Sequence, residues 1–325
     1  PKDANNTEEV FKRLNIVLDE AQITFGLVLN FNSKLEERYT IRLSIITELK
    51  NTLERTGDEL SLNYQPKLDL KKGRVTHVEA LIRWTNPRLG FVSPEDFIAI
   101  AEQAGLIENI TSWVINRAIE DAVRFRQANL NVSVAINLSA KDIMNPALLT
   151  NVLALLKEKN LDTASLSFEI TEGDLDKEHD MTIIHLQAFK DEGFEIAIDD
   201  FGTGYSCLSY IQNLRLDIIK IDKAFINDVE TNLQSQGITK AIIQMAHALN
   251  LKVVAEGVET RQQLIFLLEN DCDFIQGYYF SKPLKAELVS GYLKEFEIEN
   301  NKNALFNKQE REKQSTELVV SLDNG

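Results

Sequence analysis

The sequence predicts an α/β fold, a TIM-like (β/α)8 barrel with an antiparallel first strand. Three observations lead there. Eight short β-rich segments lie between Leu60 and Phe280, most of them separated by helical patterns, and such alternation builds a largely parallel sheet. Six residues, Lys71–Thr76 with Gly73 among them, join the first two segments; this is hairpin length, too short for a parallel crossover. Polar residues recur near the C-terminal ends of strands that should otherwise be continuous Val, Ile and Leu.

In chain order the expected strands are Leu60–Leu70, His77–Trp84, Val132–Leu138, Leu166–Thr171, Glu195–Asp200, Asp217–Ile221, Lys252–Glu256 and Phe274–Phe280. Ser93-Pro94-Glu95-Asp96 reads as a helix start: a Ser cap, Pro at the first position and acids in the first turn. Ahead of the barrel (58–297), residues 34–57 read as a linker helix in which Leu35, Ile41, Leu43, Ile46, Leu49 and Leu53 punctuate charged residues. Residues 298–325 are rich in Asn, Lys, Glu and Gln and read as a C-terminal tail, either a terminal helix or a frayed end.

Composition narrows the function. With 325 residues, 44% of them hydrophobic, the chain can bury one large core and carry a flanking piece. A net charge of −15 argues against long nucleic acid, which needs clustered Lys and Arg. A small anionic substrate stays open, because bound cations reverse the local field. Two cysteines, Cys207 and Cys272, and four histidines without zinc-binding spacing give no disulfide framework and no zinc motif. No apolar run is long enough to span a bilayer and no signal peptide is visible, so a cytoplasmic location is expected. The chain opens at Pro1 and reads as a fragment, which leaves open an inner-membrane anchor in the full-length protein.

The polar interruptions are Glu79, Asn137, Glu169, Asp199, Asp200, Lys220, Asp222, Glu256 and Gln276. Burying several acids around one barrel mouth is prohibitive unless cations compensate them. Oxygen-only ligands select hard ions, so two Mg²⁺ or Mn²⁺ ions are expected. Asp199-Asp200 suits a site in which one carboxylate bridges two ions, the usual apparatus of phosphoester hydrolysis. Lys220 is the lone cation expected in this ring, placed to orient and help deprotonate an attacking water. Arg83, four residues past Glu79 on the same side of its strand, is placed to reach a substrate phosphate.

These residues sit in a recognisable series: YQPKLDL (64–70), VEALIRW (78–84), INLSA (136–140), FEITE (168–172), DDFGTGYS (199–206), IKIDK (219–223), VVAEGVET (253–260) and QGYYFSKPL (276–284). In order and spacing the series resembles the EAL domain family. The resemblance implies a cyclic di-GMP phosphodiesterase yielding linear pGpG on a barrel with an antiparallel first strand. It implies Glu79, Asn137, Glu169 and Asp199 as ligands of one metal, and Asp199, Asp200 and Glu256 as ligands of the second. Lys220 resembles the catalytic lysine and Gln276 the glutamine beside it. Gln65, Leu81, Arg83 and Asp222 match positions that contact the dinucleotide, and Glu172 matches the glutamate that holds the DDFGTGYS loop. The alternative is a cyclic di-GMP receptor without turnover. Receptor-type members lose metal ligands or that loop, and this chain keeps both. A homodimer is implied by the same analogy. Residues 1–33 resemble the end of a GGDEF domain, which implies upstream GGDEF or sensory domains.

Overall fold

A computed structural model describes residues 6–23, 31–55, 58–175, 179–202 and 214–303. Its strands are β1 (Leu60–Asp69), β2 (Arg74–Asn86), β3 (Gly90–Val92), β4 (Ser133–Leu138), β5 (Leu166–Thr171), β6 (Glu195–Phe201), β7 (Ile218–Ile221), β8 (Lys252–Ala255), β9 (Phe274–Ile275) and β10 (Leu284–Lys285). Eight of them close into a barrel in the order β1-β9-β8-β7-β6-β5-β4-β2, and pairing of β1 with β2 completes the ring. From β2 round to β9 every pair is parallel, whereas β1 runs antiparallel to β9. The short connection forces this reversal. Gly73 takes a left-handed φ of 63°, its N–H bonds Asp69 O, and the Asp69 carboxylate accepts from the amides of Lys71 and Lys72.

Two expectations are corrected. Two short antiparallel strands were not foreseen: β3, which pairs with the end of β2, and β10, which pairs with β1. The last barrel strand is also much shorter than Phe274–Phe280. It stops at Ile275 because the chain folds onto the segment after β8, with Val258 N–H bonding Gln276 O and Tyr279 N–H bonding Val258 O. At Gly277 a Cβ would sit 2.2 Å from Val258 O, so the approach tolerates only glycine.

The chain divides into two compact units, Leu62–Ile82 with Thr111–Gly325, and Pro1–Ser61 with Arg83–Ile110. In the barrel unit, the helix Ile107–Gln127 supplies Asp121, fully buried, whose carboxylate accepts from Tyr64 Oη at 2.8 Å and pairs with Arg117 and Arg124. In the other unit, the linker helix spans Ser33–Glu54, capped by the Asn32 side chain. The Glu59 carboxylate accepts from Thr52 on that helix and from Trp84 and Asn86 beside β3. Of the apolar residues expected to punctuate the helix, Leu35 and Leu49 are buried, while Ile41 and Leu43 are exposed. The helix Pro94–Ala104 starts as expected, but Ser93 caps it through its backbone carbonyl rather than its hydroxyl. Among the described residues no helix is long and apolar enough to cross a membrane.

Candidate active site

The parallel strands all end at one mouth, and their last polar residues meet there. Glu79 comes from β2, Asn137 from β4, Glu169 from β5, Asp199 and Asp200 from β6, and Lys220 from β7; Glu256 and Gln276 follow β8 and β9 directly. In register, Asn137 lies opposite Glu169 and Thr171 opposite Asp199. Adjacent residues on a regular strand point to opposite faces, yet the carboxylates of Asp199 and Asp200 come together. A register shift between Ile198 and Phe201 and a left-handed φ of 55° at Asp200 bring this about. The Asp200 N–H bonds the Asp199 carboxylate at 2.8 Å.

Lys220 is wholly buried at the centre of the cluster. Its ammonium lies 2.5 Å from Glu169 Oε2, 2.6 Å from Asp199 Oδ2, 2.8 Å from Glu256 Oε1 and 3.5 Å from Glu79 Oε2. Burial would favour the neutral amine, but Asp199, Glu169, Glu256 and Glu79 outweigh it and hold the proton well above the usual lysine range. Lys220 is not the lone cation in the ring. Lys67 on β1, 4% exposed, forms an ion pair with Glu169 Oε1. Its strand alternates polar and apolar residues, with Asn63, Gln65 and Asp69 beside it, so no single interruption marks Lys67 in the sequence.

Amides hold the remaining acid. Asn137 Nδ2 donates to Glu79 Oε1 at 2.9 Å and Gln276 Nε2 to Glu79 Oε2 at 2.7 Å. Gln276 Nε2 also reaches Gln65 Oε1 at 3.1 Å, and Gln65 donates in turn to Ser281 O. Burial raises the Glu79 carboxyl, but Lys220, Lys67 and the two amides bring it down to about 2. Burial, reinforced by Asp199 and Glu79, pushes Glu256 up to about 8. Burial and the adjacent Asp199 push Asp200 up to about 6.

Two groups of carboxylate oxygens lie close enough to hold a cation: Glu79, Glu169 and Asp199, and Asp199, Asp200 and Glu256, with ligand atoms within 4.8 Å of one another in each group. The donor set fits hard divalent ions. It consists of oxygens, and it is over-charged, because among the described residues five carboxylates share two ammonium groups. Gln276 Oε1 is a further buried acceptor with no hydrogen bond.

Of the other expected residues, Leu81 is half-buried, two positions beyond Glu79 on β2. Asp222 caps the short helix Lys223–Ile226 by accepting from Ala224 N–H at 2.8 Å, and it bonds Asp200. Arg83 is half-buried and falls in the second unit. Glu172, 3% exposed, accepts from Gly202 N–H at 3.0 Å. Residues 203–206 of the DDFGTGYS segment lie outside the described residues, as does Cys207. Cys272 is a buried free thiol, and burial pushes it up to about 12, so it is inert.

The EAL domain model matches residues 46–283. The cyclic di-GMP phosphodiesterase NbdA of Pseudomonas aeruginosa is 38% identical over 92% of this chain and 38% of its own length. The cyclic di-GMP phosphodiesterase PdeR of Escherichia coli is 35% identical over 82% of the chain and 40% of its own. The chain thus spans about two fifths of these relatives. Among solved structures, the PaMucR phosphodiesterase in complex with c-di-GMP superposes with a TM-score of 0.71 at 36% identity, covering 76% of this chain and 99% of that one.

Proposed function

Given that the chain belongs to the EAL domain family, we propose that its barrel mouth hydrolyses one phosphodiester of cyclic di-GMP to linear pGpG. The observation that carries this reading is the mouth itself: four carboxylates converge on a buried lysine where the strands end, and Asp200 adds a fifth beside Asp199. Glu79, Asn137, Glu169 and Asp199 would hold one ion, and Asp199, Asp200 and Glu256 the other, with Mg²⁺ or Mn²⁺ favoured by the all-oxygen set. When bound, the ions supply Lewis-acid neutralisation of the phosphate charge. With ions holding the carboxylates around it, Lys220 would orient the attacking water and accept its proton as the new P–O bond forms, and the leaving ribose oxygen would be protonated as its P–O bond breaks. Gln276 and Asn137 keep Glu79 oriented, and Gln65 anchors Gln276. Gln65, Leu81 and Asp222 are proposed contacts of the dinucleotide. A cytoplasmic homodimer fed by upstream GGDEF or sensory domains belongs to the same reading.

The direct test is incubation of the 325-residue chain with cyclic di-GMP and Mg²⁺ or Mn²⁺, followed by chromatography. Accumulation of pGpG supports the enzyme. Binding without any product favours the receptor.

Ion binding should depend on pH in a definite direction. A carboxyl raised to about 8 keeps its proton below that pH, and an incoming cation must displace it. Apparent affinity is therefore expected to rise by up to about tenfold per pH unit between pH 6 and 8 and to level off above. The ion-free fold responds in the opposite direction. Stability contributed by the protonated Glu256 is full below its ordinary value of 4.5 and is lost as pH rises through about 8. Calorimetric titration across this range in two buffers of different ionisation enthalpy measures the released proton; a flat profile would contradict the assignment.

Glu172 holds the backbone that follows the paired aspartates. At Gly202, with a φ of 95°, a Cβ would meet the Phe225 ring at 2.9 Å, so the turn has little latitude. Glu172→Ala is expected to raise the Mg²⁺ concentration needed for half-maximal turnover by about tenfold, without unfolding the barrel. Glu172→Gln keeps a carbonyl acceptor for Gly202 and should restore most of the loss. An unchanged Mg²⁺ requirement in folded Glu172→Ala would remove this role.

A further inference from the structure

Lys67 and Glu169 lie on strands that are not neighbours. Around the ring β5 is three strands from β1 in one direction and five in the other. Their ion pair therefore crosses the barrel interior, a space that Val, Ile and Leu normally fill in such folds. Both side chains are almost fully buried, 4% and 2% exposed. The two oxygens of Glu169 have different partners: Oε1 takes Lys67, and Oε2 takes Lys220 at 2.5 Å.

These two grips differ in permanence. Lys220 also pairs with Asp199, Glu256 and Glu79, so it can give up Oε2 and remain compensated. Among the described residues Lys67 has Glu169 as its one ion-pair partner within 4 Å, and releasing Oε1 would leave this buried ammonium with only the more distant Glu79 carboxylate to offset it. An ion that enters the mouth can thus claim Oε2 from Lys220 far more readily than Oε1 from Lys67.

We propose that Lys67 is a positioning residue that reserves Oε1 of Glu169, so that this carboxylate offers a cation one oxygen and the site discriminates against Ca²⁺. The chemistry follows from ligand number. Ca²⁺ fills six to eight positions and uses bidentate carboxylates to do so, whereas Mg²⁺ demands compact octahedral geometry from single oxygens. A carboxylate with one oxygen tied to a fixed ammonium serves the smaller ion without loss and the larger ion badly. The ammonium also offsets part of the carboxylate charge, so the site need not bind either ion at its tightest to hold its shape. Lys67 thus controls the selectivity of the ion site from within the barrel.

The inference rests on the ion-holding part of the proposed function, and a substrate-free experiment separates the two. Dissociation constants of Mg²⁺ alone and of Ca²⁺ alone are measured by calorimetry on the full chain, for the wild type and for Lys67→Met, with thermal melting to establish folding. Lys67→Met is expected to shift the ratio of the two constants toward Ca²⁺ by about tenfold. Lys67→Gln, which keeps an N–H for Oε1 without the charge, should shift it by less, and it stands in if Lys67→Met does not fold. A folded Lys67→Met with the wild-type ratio overturns the role of Lys67 and leaves the ion site standing. A wild type that binds neither ion overturns both. Failure of both variants to fold assigns Lys67 to the stability of the barrel and overturns the selectivity role.

Discussion

Lys220→Ala is expected to lower turnover of cyclic di-GMP by roughly 10²-fold or more at saturating Mg²⁺, while the dissociation constant of the dinucleotide changes little. The reason is the position of the ammonium. It has no exposed surface and four carboxylates around it, so it can serve a group that enters the mouth but cannot anchor the distant parts of a dinucleotide. The substitution has a second, independent readout. Without Lys220, Lys67 is the cation left in the ion-free cluster among the described residues, so melting in EDTA should fall, and Mg²⁺ should recover most of the loss. Near-normal turnover in the folded variant would show that the lysine only balances charge.

Removing the ions should have the largest effect of all. In excess EDTA hydrolysis is expected to fall by at least ~10³-fold, because several kcal/mol of charge stabilisation disappear at once. Affinity for the substrate should fall as well. Five carboxylates against two ammonium groups leave the mouth negative, and a dinucleotide with two anionic phosphodiesters is repelled by such a field. Mg²⁺ or Mn²⁺ should restore activity and Ca²⁺ only poorly. Turnover that persists in the chelator would refute the ion-based reading of the carboxylates.

Much of this arrangement was legible in the sequence because it violates the composition expected of buried strands. Glu79, Glu169, Asp199 and Lys220 each interrupt an aliphatic run, and an interruption that recurs on successive parallel strands maps to one end of a barrel. The reversed first strand was legible from a six-residue connection. Lys67 was not, since its strand carries Asn63, Gln65 and Asp69 as well and gives no single interruption to notice. Its partner Glu169 lies 102 residues away, and nothing in local pattern announces a bond across the interior. The early end of β9 was hidden for a related reason: the run FIQGYYF looks like strand throughout, and only the contact between Gly277 and Val258 stops it. The reach of Asp200 was only half legible. Two adjacent acids suggested a shared site, but alternation along a strand would have sent them to opposite faces.

The backbone at Asp200 narrows what can replace it. A left-handed φ is tolerated by Gly, Asn and Asp and resisted by β-branched and bulky residues. The neighbouring charges ask for a carboxylate. Glutamate meets the second demand but is poorly suited to the first, and asparagine and glycine meet the first alone. Aspartate is the residue that satisfies both. A lineage that gave up this chemistry would therefore be expected to drift at position 200 toward asparagine or glycine, so that the shape of the turn would outlive the charge it once carried.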